Sequence, residues 1–402
     1  MKKLLLPLLL ALPAASVIAA DAALTAAVAQ DYSSHLAPLY AHFHAHPELS
    51  LMETQTAARL AQELRAAGFE VTEGVGKTGV VAILKNGPGP LVLMRSDIDA
   101  LPVEEPAGNP NASKVRMKDW AGKEVPVMHA CGHDVHMTSL VGTAHQMAAR
   151  RKEWSGTLML IGQPAEERVA GAKAMMKDNL YQRFGKPDYA LAMHVISDLE
   201  AGRLAVDDSS MFSGVDSLEI TIHGLGAHGS APHTGKDPVV LGAQIVLALQ
   251  TIISRDLAPR EPRLITVGAF HAGSKGNIIP DTAVLQLTVR SESAKAREQL
   301  LAAISRVTLN TARAAGIAEN MLPEIKQVDE PSAPTLNTPK LAQRLRAVWN
   351  SKMAPGTVDG EYWRSAMVAE DFGAFTDGIP STYFIIGGSS GEKVAVARNG
   401  GP

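Results

Sequence analysis

One cysteine, Cys131, is all that the 402 residues contain, so an internal disulfide is excluded. Charge of either sign is not in excess: 38 Lys and Arg face 41 Asp and Glu, a formal net charge of -3, which argues against the basic footprint of a nucleic-acid binder. Past the N-terminus no run reads as apolar for long enough to span a bilayer, so no membrane partner is expected. A Gly-x-Ser-x-Gly nucleophile elbow and a phosphate loop are both missing. The glycine-rich Gly224-Leu225-Gly226-Ala227-His228-Gly229 follows a strand pattern without opening a helix and reads as a turn. There is no internal repeat. What is left is an ordinary globular composition, 46% apolar and 20% charged, in a chain long enough for two domains.

The first residues read as an export signal. Lys2 and Lys3 precede an apolar stretch at 4–12, and small residues at 19–22 supply a cleavage site. Residues 1–20 are expected to be removed and the mature chain to work in the periplasm or outside the cell. A lone thiol in such surroundings is a liability unless it is buried or held by a metal.

That thiol lies in Met128-His129-Ala130-Cys131-Gly132-His133-Asp134-Val135-His136-Met137. A thiolate and an imidazole two residues apart make a half-site for a borderline metal such as zinc, and Gly132 lets the backbone aim both at one point. A buried free cysteine beside a core histidine is the alternative. Asp134 reads as the N-cap of a helix carrying Met137, Leu140, Val141, Ala144 and Met147.

Strand signals surround this stretch. A strand is expected near 79–84. Residues 90–94, 157–161 and 188–193 are short apolar runs of the kind buried on both faces of a parallel sheet. Asp97 and Asp99, Glu166 and Glu167, and His194 each follow the end of one such run. In open α/β sheets that edge is where ligand sites form. Strands alternating with helices imply a mostly parallel sheet with helices on both faces. Upstream, His35, His42, His44 and His46 can look like a metal tract but read better as the exposed face of a helix that His46 closes before Pro47. Ser50-Leu51-Met52-Glu53 reads as a capping box opening a helix that Gly68 stops.

The middle of the chain changes character. Leu218, Ile220 and Ile222 alternate with polar residues, as do Ala283, Leu285, Leu287 and Val289. With helices at 237–253 and 293–315 and strands at 263–270 and 321–328, the order is β-α-β-β-α-β, a ferredoxin-like arrangement. An α/β pattern then returns, with a helix at 341–349 and a strand at 381–386. The expected division is 31–213 and 330–402 for a catalytic domain in two parts and 214–329 for an insertion.

Adjacent Glu166-Glu167 at a strand end can split tasks, one binding a metal and one facing a water. Two ions need five or six ligands, of which Cys131, His133, Glu167 and His194 supply four.

Taken in order, His46-Pro47-Glu48-Leu49-Ser50, residues 95–102, Cys131-Gly132-His133-Asp134, residues 163–167, Met193-His194, residues 227–233, residues 276–281 and Glu370-Asp371-Phe372 give the chain a family resemblance. It resembles the amidohydrolases that cleave N-acyl amino acids, such as hippurate hydrolase, indole-acetyl-amino-acid hydrolase and N-acetyldiaminopimelate deacetylase, within the aminoacylase and carboxypeptidase group of metallohydrolases. The resemblance implies that Cys131, His133, Glu167 and His194 bind two divalent ions per subunit, zinc or manganese, with nickel and cobalt as alternatives. Glu166 would be the general base and Asp99 would orient the site. His228, in the insertion, would reach over the site from its own or a partner subunit to stabilise the oxyanion, and Asn277 would help hold the substrate. The insertion would act as a lid and a homodimerisation domain. The family pattern ends with one more ligating histidine, whereas no histidine follows His271 here and residues 389–402 turn polar and glycine-rich. On that ground either the chain is truncated or frameshifted or another group fills that coordination position, and impaired activity is expected. A non-catalytic descendant and an exported metallo-exopeptidase are the rival readings.

Overall fold

The computed structural model describes residues 22–258, 260–359 and 367–398; the expected export signal at 1–20 lies outside the described residues. Eight strands form the larger sheet, in the order Glu70–Val75, Gly79–Asn86, Gly156–Gln163, Leu91–Asp97, Tyr189–Glu200, Ser381–Ser389, Leu204–Ala205, Val358–Asp359. The four central strands, Gly156–Gln163 through Ser381–Ser389, run parallel, and the first two are antiparallel additions at one edge. The pleat explains the apolar runs. Val80, Ala82, Leu84, Leu158 and Leu160 face one helical layer, with Leu60, Leu64, Met137, Leu140 and Val141. Val81, Met159 and Ile161 face the other, with Met175, Leu180, Phe372 and Phe375. The fold is α/β with helices on both faces, as the alternation of elements implies.

Residues 214–327 build a second sheet with its own core. Its order is Arg263–Ala272, Thr282–Ser291, Gly214–His223, Glu324–Gln327, all antiparallel. Helices Pro238–Thr251 and Ala294–Ala314 complete the β-α-β-β-α-β order. Every second residue of Gly214–His223 is buried, which is the alternation visible in the sequence. Asp237 and Ser293 cap the two helices by accepting backbone N–H groups. One correction concerns the apolar runs: Pro238–Asp256 is long and apolar enough to cross a membrane by length and composition. Its Leu241, Ile245, Leu249 and Ile252 pack into the second core.

Three local expectations are corrected. Ser50 does not cap the helix Thr54–Ala66; its hydroxyl donates to Asp99, and the Glu53 carboxylate is drawn away to other backbone groups. Asp134 is not an N-cap. Gly132 holds that position at φ 78°, and a Cβ there would come within 2.3 Å of Val195, so only glycine fits. His44 is not on an exposed face. It is buried, with Nδ1 on Asp134 (2.6 Å) and Nε2 on Glu105 (3.0 Å).

The turn that carries Glu166 and Glu167 is held against its own preference. Ala165 has φ 49°, Leu51 φ 63° and Val169 φ 52°, conformations that cost a non-glycine residue about 1–3 kcal/mol. Glu53 accepts from the N–H groups of both Leu51 (2.8 Å) and Ala165 (2.9 Å). The Asp99 carboxylate accepts from Glu166 N–H and Glu167 N–H, each at 3.1 Å. Burial and the charge of Asp99 push the Glu53 carboxyl up to about 7.

The buried His44 pair gives a pH signature. The hydrogen bond to Asp134 outweighs burial and raises His44 from 6.5 to about 9. Between those values the folded chain holds a proton that the unfolded chain releases. The stabilisation is complete below pH 6.5 and is lost as pH rises through about 9. His44→Ala is expected to destabilise the chain by about 1–3 kcal/mol at pH 6, with a gap to wild type that narrows towards pH 10. Urea unfolding of both proteins across that range checks it; a gap that stays constant contradicts the assignment.

Candidate metal centre

The parallel strands deliver their C-terminal ends to one rim. Asp97 ends Leu91–Asp97, and Asp99 follows two residues later. Glu166 and Glu167 start the short turn after Gly156–Gln163. Cys131 and His133 lie at the start of the helix His133–Ala149. His194 is inside a strand rather than at its end, because Tyr189–Glu200 continues six residues beyond it.

His133 is the centre of the group. Its Nδ1 donates to the Asp99 carbonyl at 2.7 Å, which fixes the ring and leaves Nε2 bare. That nitrogen is buried without a hydrogen-bond partner among the described residues, and so is Glu167 Oε1, 3.8 Å away. Glu166 Oε2 is 3.7 Å and Asp97 Oδ2 3.6 Å from the same nitrogen. One ligand atom from each of His133, Glu166 and Glu167 falls within a 4.8 Å span. Orphaned buried ligand atoms at this spacing fit a divalent ion held by nitrogen and carboxylate oxygen. Half-buried Cys131 lies close enough to Glu167 for that carboxylate's charge to act on its thiol.

The electrostatics favour a cation. Burial opposes charge on His133, but Asp97, Asp99 and Glu167 outweigh it and raise the imidazole to about 10. Burial, with the charge of Glu167, pushes the Cys131 thiol up. Burial also raises Glu166, and the charges of Glu370 and Asp97 raise it further. A divalent ion would satisfy the carboxylates and release the thiol proton.

Of the residues singled out in the sequence, Cys131, His133, Glu166, Glu167 and Asp99 converge. His194 is close but outside the tight group, its ring 6.1 Å from that of His133. Burial lowers His194 to about 3, so it stays neutral, as a ligating imidazole must. His228 and Asn277 are not brought to the cluster. Both are exposed on the second sheet's side of the chain, where His228 pairs with Ser230 and Asn277 accepts from Gly229 N–H.

Sequence reasoning left several participants without a role. His136 donates from Nδ1 to Asp97 (2.6 Å) and accepts at Nε2 from Val195 N–H (2.9 Å), so both ring nitrogens are occupied and it positions rather than ligates. Its place three residues after His133, one helical turn on, was the available signal. Arg95 is fully buried and donates to Gln163, Asp97 and Glu370, while Glu370 also accepts from Tyr383. A charged residue inside an apolar strand run marks it only in hindsight of its partners, 275 residues away in the case of Glu370.

Comparison with known proteins gives the chain's family. Residues 93–399 match the profile of Peptidase family M20/M25/M40. The chain is 36% identical to hippurate hydrolase of Campylobacter jejuni over 337 residues, 83% of each protein. It is 34% identical to thermostable carboxypeptidase 1 of Saccharolobus solfataricus, covering 89% of this chain and 86% of that one. A Bacillus subtilis protein solved as a dinuclear metal binding peptidase of the M20 family superposes with a TM-score of 0.74 at 28% identity, covering 92% of this chain and 96% of its own. With its bare imidazole, paired glutamates and adjacent thiol on the rim of this sheet, the chain belongs to Peptidase family M20/M25/M40, a family of hydrolases that use divalent metal ions.

Proposed function

We propose that the chain, working outside the cytoplasm after loss of residues 1–20, hydrolyses the amide bond of N-acyl amino acids with two divalent ions. The observation that carries the reading is the pair of orphaned buried atoms, His133 Nε2 and Glu167 Oε1, 3.8 Å apart beside Glu166. Cys131, His133, Glu167 and His194 would hold the ions. The sulfur ligand favours zinc, with manganese, nickel or cobalt accepted by the imidazoles and carboxylates. Ions held by these residues would supply Lewis-acid chemistry, polarising the amide carbonyl and making water a better nucleophile at neutral pH.

The remaining work falls to side chains. Glu166, raised by burial among other carboxylates, takes a proton from the attacking water and returns it to the departing amine. Asp99 and Glu53 keep the backbone of Glu166 and Glu167 in place during both transfers. A cleft of about 540 Å³ beside Glu167 is lined by Arg168 and Val169 on one side and by Ser217, Thr288 and Arg290 of the second sheet on the other. Arg290 Nη1 is buried in that region with no partner among the described residues. A substrate carboxylate would satisfy it, which favours an acyl amino acid over a neutral amide.

His228 and Asn277 reach a substrate only from another subunit in this reading. Homodimerisation is supported by the open sheet edge at Arg263–Ala272 and by exposed Val240 and Leu247 on the helix beside it. His228 of one chain would then donate to the developing oxyanion over its partner's ions.

Glu166→Gln is expected to keep the metal content of wild type and to lose at least about a thousandfold in kcat. Metal analysis with hydrolysis of an aromatic acyl-amino acid checks it, and turnover within tenfold of wild type overturns the assignment. Arg290→Met is expected to raise KM for acyl amino acids about tenfold or more with kcat little changed, the mark of lost ground-state binding. A panel including dipeptides and esters lacking the carboxylate tests that, and equal KM shifts on all substrates count against it. It also separates the carboxypeptidase reading, which the thermostable carboxypeptidase relative favours. His228→Ala should lower kcat by about a hundredfold, and wild-type specific activity should fall on dilution through the dimer range. Activity independent of concentration, with the chain monomeric by sedimentation, removes the shared-site arrangement.

A further inference from the structure

We propose a second, separate ion site formed by His35, Glu63 and His145, with Asp31 behind it, that takes a divalent transition ion such as zinc, nickel or copper. One ligand atom from each of the three residues lies within a 4.8 Å span. The two imidazole rings are 5.2 Å apart. The site is independent of the centre above: His145 is twelve residues further along the helix His133–Ala149 than His133, about 18 Å at 1.5 Å per residue.

The donor atoms are arranged as ligands are. Glu63 gives one oxygen, Oε1, to Arg59 and turns the other, Oε2, to His35 Nε2 at 2.7 Å. Asp31 accepts from His145 Nδ1 at 3.0 Å. A carboxylate on one ring nitrogen is the usual backing for a histidine whose other nitrogen binds metal, and His145 Nε2 has no hydrogen bond among the described residues. His35 sits in the π-helical turn Tyr32–Leu36, a rare distortion of an otherwise α-helical segment that is frequent at functional sites. With a side chain 42% exposed, it can be reached from solvent. Two imidazoles and a carboxylate suit zinc, nickel or copper better than magnesium or calcium.

Of the four histidines clustered at 35–46, only His35 takes part. His42 and His46 stack on each other, and His44 is committed to Asp134 and Glu105. The consequence is mechanical. The first helix, Ala22–Asp31, buries no side chain, so packing alone anchors it weakly. An ion bridging His35, Glu63 and His145 ties the turn after that helix to Thr54–Ala66 and His133–Ala149. On binding, the ion replaces the proton shared by His35 and Glu63, which moves to Nδ1 of the same ring or to solvent.

The test uses the full chain, stripped of metal and titrated with zinc. Wild type should retain one more zinc per chain after desalting than His35→Gln/His145→Gln, while both hydrolyse substrate at the same rate. In a background of Cys131→Ser/Glu167→Gln, which disables the other centre, zinc should still raise Tm, and adding His35→Gln/His145→Gln should abolish the shift. Equal zinc retention in wild type and His35→Gln/His145→Gln, both folded by circular dichroism, overturns the proposal and leaves a hydrogen-bonded network only. If the double histidine variant does not fold, cobalt(II) added to Cys131→Ser/His133→Gln/Glu167→Gln/His194→Gln, which removes every ligand assigned to the other centre, decides. Visible absorption from a site with nitrogen and oxygen ligands supports the proposal, and its absence overturns it.

Discussion

The guanidinium of Arg95 is the interaction on which the rest depends. It is fully buried in the larger sheet and bonded to Gln163, Asp97 and Glu370. An uncompensated charge there would cost several kcal/mol, so the acids are required by the cation and the cation by the acids. The pairing also closes the chain. Glu370 and Tyr383 belong to its last part, and through them Arg95 helps seat Ser381–Ser389 beside Tyr189–Glu200. The balance is deliberately uneven in sign: Asp97, Glu166, Glu370 and Asp371 surround one Arg95. Asp371 is raised to about 8, chiefly by burial and then by Glu370, so one buried cation does not neutralise its neighbours. The deficit is what makes the rim receptive to divalent ions.

A second constraint is orientation. Carboxylates just beyond the strand ends are spent on holding other groups rather than on ligating. Asp97 holds His136, and His136 in turn accepts from Val195 N–H next to His194. Asp99 fixes His133 through its carbonyl and the two glutamates through its side chain. Glu53 stabilises a left-handed alanine that the chain would otherwise avoid. The site is thus rigid before any ion arrives, and little reorganisation is left for the moment of binding.

These two constraints also mark what the sequence could reveal. Continuous apolar runs located the central strands because a parallel sheet buried on both faces needs them, and strict alternation located the second sheet because one of its faces is covered. The converging ends of those strands made Cys131, His133, Glu166 and Glu167 readable as a group. Arg95 was not readable as the hub, since its partners are fixed only once the last part of the chain folds back. Ser50 and Glu53 have the spacing of a capping box, but Asp99 and Ala165 compete successfully for their side chains. His44 resembled its exposed neighbours until Asp134, ninety residues later, buried it. His194 was read as following its strand because a strand's end is set by pairing with Ser381–Ser389, which carries on past it.

Adjacency in sequence conceals a difference in surroundings between Glu166 and Glu167. Glu166 is buried and faces Glu370, Asp97 and Asp371, all of which disfavour its charge. Glu167 is raised by burial too, but His133 and the Cys131 thiol beside it work in the opposite direction. Two carboxyls whose neighbours push their affinities apart are suited to separate tasks, one carrying a proton and the other staying ionised against a metal. The short turn after Gly156–Gln163 produces that division by sending consecutive side chains to different neighbours, which a strand would do only by placing them on opposite faces of the sheet. The assignment of base and ligand therefore follows from the backbone conformation at Ala165, and with it from the carboxylates of Glu53 and Asp99 that impose it.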